Sequence, residues 1–203
     1  MDTNIVRKVL NVGGNSKAIP LPPLYADWEH VLLDIDPRGN PDVVCDAREL
    51  STLPAAEYDS VYCSHNLEHY YRHDVFKVLS GFMHIIKSDG FAFIRVPDMR
   101  ELMRTVIEKN MDIDDVLYES AMGPIAVCDV IYGHRGEIER SGNDYFAHKT
   151  GFTPKSLMAV LRASGFKKVA IKAVPDIFEI RAFAFKDEPS DYVSRFLGLP
   201  SGG

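Results

Sequence analysis

Short apolar runs alternate with longer mixed segments through the first half of the chain. One mixed segment, Asp74–Ile86, carries apolar residues at helical spacing and predicts an amphipathic helix. The apolar runs predict five strands, at Lys8–Val12, His30–Leu33, Asp42–Cys45, Asp59–Cys63 and Phe91–Val96. The segments Ala18–Glu29 and Ala47–Ala56 are predicted to be helical crossovers, the first starting only at about Pro23 because prolines precede that position. Strands that alternate with crossovers indicate a parallel sheet with both faces covered.

The alternation of predicted helices and strands resumes near the end of the chain. Thr153 and Pro154 are typical of an N-cap and a first helical position, so a helix is predicted to run from there through Ser164. Gly165 suits the end of that helix. Two more strands are predicted, at Lys168–Ala173 and Ile177–Phe185. Their short link permits a hairpin, so we expect the last strand to be antiparallel to its neighbours.

Residues 97–153 interrupt this pattern. Helices are predicted at Arg100–Lys109 and Asp114–Tyr118, and the remainder is polar and rich in Gly, His and Arg. An insertion of this length without a strand period is usually functional or mobile. We therefore expect one domain over residues 1–186, with residues 97–153 as a substrate lid and residues 187–203 as a loose tail.

Composition narrows the class of protein. The chain has 203 residues, 46% of them hydrophobic and 26% charged, which are ordinary values for a globular domain. A net charge of −6 without a Lys/Arg cluster argues against nucleic acid as the main partner. No apolar run is long enough to span a membrane or to serve as a signal peptide. Three scattered cysteines fit a reducing compartment, so a cytoplasmic location and a small-molecule partner are expected.

Candidate ligand-binding residues follow three successive strands. Gly13-Gly14-Asn15 comes after the first strand, Asp34 ends the second, and Asp46 follows the third. An acidic residue about 20 positions beyond a glycine turn can accept both ribose hydroxyls of an adenosine. An acid after the third strand can accept from the adenine amino group. The spacing therefore favours a nucleoside lying across the strand ends.

The ordered series of segments resembles the class I S-adenosylmethionine-dependent methyltransferases, of the small single-domain, type 11-like kind. The matching stretches are VLNVGGNSK, VLLDIDP, VVCDARELSTLP, YDSVYCSHNLEHYY, VLSGFMHIIKSDGFAFIRVPD and TGFTPKSLMAVLRASGFKKV. The resemblance covers roughly Lys8 to Phe185. It implies an α/β, Rossmann-like fold with a seven-stranded, mostly parallel sheet, an antiparallel last strand and helices on both faces. It also implies S-adenosyl-L-methionine as the cofactor.

The resemblance assigns roles to individual positions. It implies that Asp34 holds the ribose, Ile35 packs on the adenine, Asp46 accepts from adenine N6 and Ala47 donates a backbone N–H to the ring. It also implies that Ser64, His65 and Leu67 flank the methionine moiety, while Gly13 and Gly14 form the cofactor loop. Asn11 stands where the family commonly has the acid that anchors the methionine ammonium. Asn15 and Lys17 replace two further family glycines, so this loop is expected to wrap the cofactor differently.

Several polar residues invite a catalytic interpretation. In the insertion, His134 or His148 is the predicted general base, and Arg135 is predicted to orient an anionic acceptor. The spacing of His65, His69 and His73 permits a zinc site. No further ligand has suitable spacing, so we predict no metal. Tyr145 and Lys149 have the spacing of the short-chain dehydrogenase pair, but the glycine pattern of those enzymes is missing.

The sequence thus favours a methyltransferase that transfers a methyl group from S-adenosylmethionine to the oxygen or nitrogen of a small molecule. A non-catalytic protein that binds the same nucleoside and uses its insertion to bind a partner is the alternative. A nicotinamide-dependent reductase is the less favoured third reading.

Overall fold

A seven-stranded sheet forms the centre of the protein. The computed structural model describes residues 6–120, 123–189 and 191–198. The strands are β1 (Lys8–Val12), β2 (Glu29–Asp34), β3 (Val43–Val44), β4 (Tyr58–Ser64), β5 (Ile86–Pro97), β6 (Val116–Ser120), β7 (Gly123–Ala126), β8 (Lys168–Val174) and β9 (Glu179–Phe185). The α-helices are α1 (Arg72–Ile85), α2 (Met99–Lys109), α3 (Val127–Tyr132), α4 (Arg135–Ser141), α5 (Pro154–Ala163) and α6 (Asp191–Phe196). None of the helices in these ranges is long and apolar enough to cross a membrane.

The strand order in the main sheet is β3-β2-β1-β4-β5-β9-β8. The first five of these strands are parallel, and β9 is antiparallel to both β5 and β8. The predicted α/β, Rossmann-like fold with an antiparallel last strand is therefore confirmed. The short link between β8 and β9 makes a parallel arrangement of those two strands impossible, because a parallel pair needs a long crossover.

Two long helices cover one face of the sheet. Phe76 of α1 is exposed, whereas five apolar side chains at helical spacing are almost completely buried: Val75, Val78, Leu79, Phe82 and Ile85. Helix α5 packs on the same face through Leu157 and Leu161. Its start is as predicted, because Thr153 Oγ1 accepts the backbone N–H of Ser156 at 3.2 Å and Pro154 takes the first helical position. Gly165 follows this helix with a φ of +102°.

The other face is covered differently. The helix predicted from Pro23 is wrong beyond its first turn, since only Pro23–Tyr25 forms a 3-10 helix. β2 begins at Glu29, so only three residues separate the end of this turn from the strand. Aromatic side chains fill the space instead, with Tyr25, Tyr62 and Phe91 in one buried cluster that also receives Val193 of α6. Likewise, the crossover predicted at Ala47–Ala56 is a 3-10 helix over Ala47–Thr52.

The insertion contains regular structure of its own. Helix α2 confirms the prediction at Arg100–Lys109, and Asp98 caps it by accepting the backbone N–H groups of Arg100 and Glu101. The helix predicted at Asp114–Tyr118 is wrong, because β6 pairs with β7 there as an antiparallel hairpin. Valine and tyrosine favour strands when a partner strand is available, and that partner lies outside the short window from which the helix was predicted.

Candidate functional site

A cavity of about 320 Å³ opens where the strand order reverses, between β1 and β4. Gly13, directly after β1, has a φ of +70°, and a Cβ placed on it would lie 2.1 Å from Nδ2 of Asn66 in the turn after β4. A glycine is needed at this position because any side chain would push the two loops apart. Within the described residues, Oδ1 of Asn66 is buried at the cavity without a hydrogen-bond partner.

Asp34 presents its carboxylate at this cavity from the end of β2. It is 9% exposed, and its two oxygens accept the backbone N–H groups of Asn15 and Asp36, each at 2.9 Å. A carboxylate has about four acceptor sites, so capacity remains for a ligand's hydroxyl groups. The neighbouring Ile35 also borders the cavity and is 36% exposed. The spare acceptor sites of Asp34 suit the hydroxyl groups of a polar ring. The exposed side chain of Ile35 suits an apolar ring attached to it.

Asp36 and Asp46 border the same cavity, but each carboxylate is held by an arginine two residues later. Arg38 Nε lies 2.9 Å from both oxygens of Asp36, and Arg48 Nε lies 3.1 and 3.0 Å from those of Asp46. Although burial raises the pKa of Asp46, the hydrogen bonds from Arg48 hold it below its usual range. Arg48 also approaches Asp74 of α1 at 3.5 Å. A ligand that bonds to Asp46 must therefore share the carboxylate with Arg48.

The insertion forms the opposite wall of the cavity through Asp144, Tyr145, Phe146 and Lys149. Lys149 Nζ lies 3.2 Å from Asp144 and 5.7 Å from the centre of the Tyr71 ring. The backbone N–H groups of Lys149 and Thr150 donate to the carbonyl of Glu68 at 2.8 and 3.1 Å, which ties this wall to the turn after β4. The wall is thus aromatic with one cationic and one anionic side chain.

A buried ion cluster lies behind the cavity. Oε2 of Glu179 lies 3.0 Å from Nε2 of His65 and accepts Nε–H of Arg95 at 2.9 Å, while Oε1 accepts Nε–H of Arg181 at 2.6 Å. Although burial raises the pKa of Glu179, these hydrogen bonds lower it to about 2. Burial lowers the pKa of His65, but the carboxylates of Glu179 and Glu68 outweigh it and raise the pKa to about 9. His65, which borders the cavity, is held by this cluster.

Acid should unfold the protein partly through Glu179. Its folded pKa is about 2 and its ordinary value is 4.5, so its stabilising contribution is complete above pH 4.5 and disappears as the pH falls towards 2. Urea unfolding between pH 5 and pH 3 should show a loss of about 2 kcal/mol that Glu179→Gln does not show. The exposed Glu139→Gln serves as the control, and equal slopes in the wild type and Glu179→Gln would contradict the assignment.

Five of the ten residues predicted to bind cofactor border the cavity: Gly13, Asp34, Ile35, Asp46 and His65. The other five do not border it: Asn11, Gly14, Ala47, Ser64 and Leu67. Nδ2 of Asn11 lies 3.2 Å from Nε2 of His30, and a Cβ on Gly14 would lie 2.1 Å from that amide. Ala47 and Leu67 are 2% and 0% exposed. These five residues support the loops around the cavity without lining it.

The three residues predicted to be catalytic also lie away from the cavity wall. His134 caps α4 through Nδ1, which lies 3.3 Å from the N–H of Glu137. Arg135 pairs with Asp129 and Asp114 at 3.3 and 3.2 Å. His148 donates its Nδ1–H to the carbonyl of Val130 at 2.9 Å, and burial lowers the pKa of His148.

Sequence reasoning did not assign several side chains that border the cavity: Arg48, Asn66, His69, Tyr70, Tyr71, Asp74, Asp144 and Phe146. Arg48 and Asn66 stand one or two residues after predicted contacts, so their position in the same strand-end turns was a usable signal. Asp144 and Phe146 had none, because their approach depends on how the insertion folds back over β4.

Solved structures share this architecture. A SAM dependent methyltransferase from Archaeoglobus fulgidus is 18% identical with a TM-score of 0.55, and the match covers 88% of this chain and 86% of that one. A protein from Pyrococcus horikoshii OT3 is 14% identical with a TM-score of 0.60, covering 91% and 84%. The 1,6-didemethyltoxoflavin-N1-methyltransferase of Burkholderia thailandensis, solved with its substrate and S-adenosylhomocysteine, is 16% identical with a TM-score of 0.52, covering 90% and 72%.

The fold is therefore that of the class I S-adenosylmethionine-dependent methyltransferases, as the sequence resemblance implied. No protein-family model and no curated protein sequence matches the chain.

Proposed function

We propose that this protein is a methyltransferase that uses S-adenosyl-L-methionine to methylate the oxygen or nitrogen of a small molecule. One observation carries the proposal: the Asp34 carboxylate borders the cavity at the strand-order reversal, beside Gly13, with acceptor capacity left on both oxygens. This is where ligands bind in open α/β sheets. Asp36 and Asp46, by contrast, are held by arginines.

The residues present fit the cofactor. A volume of about 320 Å³ lies at the lower end of the range for small-molecule sites. Asp34 would hold the ribose hydroxyl groups and Ile35 would cover the adenine. Gly13 borders the cavity with backbone atoms alone, and Oδ1 of Asn66, which has no hydrogen-bond partner among the described residues, offers a buried acceptor. When bound, S-adenosylmethionine would supply a methyl group on its sulfonium sulfur; the acceptor's oxygen or nitrogen would bond to the methyl carbon as the carbon–sulfur bond breaks and S-adenosylhomocysteine leaves.

The chain's own contribution to such a reaction is positioning and exclusion of water. Tyr70, Tyr71, Tyr145 and Phe146 give the cavity an aromatic wall. We propose that residues 97–153 act as the lid, since Asp144, Tyr145, Phe146 and Lys149 of this segment border the cavity, and that residues 1–186 make up the methyltransferase domain. The assignment of His134 or His148 as base and of Arg135 as orienting residue stays a prediction, because these side chains do not border the cavity as it stands.

Titration calorimetry with S-adenosylmethionine and S-adenosylhomocysteine tests the proposal. At 100 times the dissociation constant, either ligand should stabilise the folded chain by about 2.7 kcal/mol, seen as a rise in the thermal unfolding midpoint. The absence of both heat and thermal shift would exclude the proposal. NADH and NADPH form a parallel arm, and binding of these alone would favour the reductase. Binding of S-adenosylmethionine without methyl transfer to any component of a cell extract would favour the non-catalytic alternative.

A further inference from the structure

A second cluster of polar side chains, distinct from the residues proposed to hold the cofactor, surrounds Glu68. This residue lies in the 3-10 helix Leu67–His69 after β4 and is 1% exposed. Within the described part of the chain, neither of its carboxylate oxygens has a hydrogen-bond partner. A buried carboxylate without hydrogen bonds is costly, so it needs a proton or a cation.

The groups that face this carboxylate are imidazoles. Nε2 of His148 lies 4.0 Å from Oε1 of Glu68, and the rings of His69 and His148 are 4.9 Å apart. One ligand atom from each of Glu68, His69 and His148 lies within 4.8 Å of the other two. These atoms come from two chain segments that are held together by the backbone hydrogen bonds from Lys149 and Thr150 to Glu68.

The lone pair of His148 lies in this space. Nδ1 of His148 is 2.9 Å from the carbonyl of Val130, so Nδ1 carries the proton and the lone pair of the neutral ring is on Nε2, towards Glu68. His69 has a carbonyl near each nitrogen, that of Ala147 at 3.1 Å and that of His65 at 3.2 Å. A neutral imidazole donates from one nitrogen only, so the nitrogen that keeps a lone pair has to turn away from its carbonyl to bind an ion.

We propose that Glu68, His69 and His148 bind a divalent transition-metal ion of the Zn²⁺ type. Two imidazole nitrogens and one carboxylate form a ligand set that zinc takes in sites that keep an open coordination position. Ligand atoms in a tetrahedral zinc site are about 3.4 Å apart, so His148 and Glu68 need to approach by roughly 0.6 Å. The ligand atom of His69, which lies within 4.8 Å of the other two, needs to approach by up to roughly 1.4 Å. The carbonyl of Val130 would orient the His148 ring, as carbonyls commonly do for metal-bound histidines. His69 borders the cavity whereas Glu68 and His148 do not, so this site lies next to the cavity and outside it.

His65 provides the competing explanation for the buried carboxylate. Its Nδ1 lies 3.5 Å from Oε1 of Glu68, so a protonated His65 could serve as the counter-ion without any metal. The two explanations differ in what the protein binds. A metal site takes up one ion per chain through His69 and His148, whereas the ion pair with His65 requires neither.

Zinc binding by the purified full-length chain separates the two explanations. After removal of metal with a chelator, Zn²⁺ is titrated against a competing chromophoric chelator, and Co²⁺ is titrated in parallel to follow its visible absorption. We expect one Zn²⁺ per chain, and Co²⁺ absorption of the intensity typical of four-coordinate rather than six-coordinate sites. Mg²⁺ should not compete, because it prefers oxygen ligands. The assay contains no S-adenosylmethionine, so its result does not depend on the proposed methyl transfer.

Substitutions of the proposed metal ligands test which side chains bind the ion. Glu68→Gln and His148→Ala should each weaken Zn²⁺ binding by at least about tenfold. His73→Ala is the matched control, since its side chain is 75% exposed and lies outside the cluster, and it should bind as the wild type does. Wild-type protein that binds no Zn²⁺ would overturn the proposal even if the variants fail to fold. So would binding that His148→Ala and Glu68→Gln leave unchanged, or that His73→Ala loses to the same extent.

Discussion

Replacing Asp34 with alanine should weaken the binding of S-adenosylmethionine by about 10- to 150-fold. The reason is the loss of a charged acceptor for two hydroxyl groups, which costs on the order of 1.5–3 kcal/mol. Calorimetry on the wild type and the variant measures the ratio of dissociation constants directly. An unchanged affinity would mean that Asp34 does not hold the ribose.

The same carboxylate also holds the loop after β1 through Asn15 and its own turn through Asp36. Asp34→Asn therefore accompanies the alanine variant, since it keeps the side-chain volume and one acceptor oxygen while removing the charge. Asp89→Ala is the control for a lost surface acid, because Asp89 is exposed in β5 and does not border the cavity. A loss of affinity in Asp89→Ala as large as in Asp34→Ala would point to a general charge effect.

Replacing Arg95 with methionine should destabilise the folded chain by about 3 kcal/mol, as is typical when one partner of a buried ion pair is removed. The anion is the buried member of this cluster: the Glu179 side chain is 2% exposed, whereas those of Arg95 and Arg181 are 25% and 41% exposed. Loss of Arg95 leaves Glu179 with fewer hydrogen bonds and no access to water. Urea unfolding at pH 7 gives the free energy of unfolding for comparison.

Because Glu179 is more buried than the two arginines, removing the anion and removing a cation should have different effects on stability. Glu179→Leu should cost less than Arg95→Met, because the arginines left behind can turn towards water. The double variant should be close in stability to Glu179→Leu alone. Arg162→Met, on the exposed side of α5, should change the free energy of unfolding by no more than about 0.5 kcal/mol. If Arg95→Met is no worse than Arg162→Met, Glu179 does not depend on Arg95 for its charge.

Local sequence signals predicted most of the sheet. β1 begins and ends where the apolar run Lys8–Val12 predicts, and α1 differs from its prediction by two residues at its start. Apolar periodicity identifies such elements because each buries one face against a common core. The insertion was less predictable, since Val116 and its neighbours form a strand only because Gly123–Ala126 pairs with them.

In the candidate site, too, the sequence predicted some positions and not others. Gly13, Asp34 and Asp46 follow directly from strand ends, and parallel strands bring their ends to one edge of the sheet. The sequence does not show that Asn11 and Ala47 lie away from the cavity. A residue adjacent in sequence to a ligand contact can point into the core instead. Arg48 and Asn66 lie in the same strand-end turns as predicted contacts, so their position was a usable signal, whereas Asp144 and Phe146 reach the cavity only through the fold of the insertion.

By itself, the sequence determined the strands of the main sheet, the helices α1, α2 and α5, the antiparallel last strand and the acidic residue at the end of β2. Those features rest on apolar periodicity, link length and strand ends, all of which are local properties. Only the tertiary structure decided which histidines meet. The spacing of His65, His69 and His73 favoured no metal site, yet the fold brings His148 from the insertion to Glu68 and His69. Contacts between segments so far apart depend on how the insertion packs over the sheet, and only the folded chain specifies that.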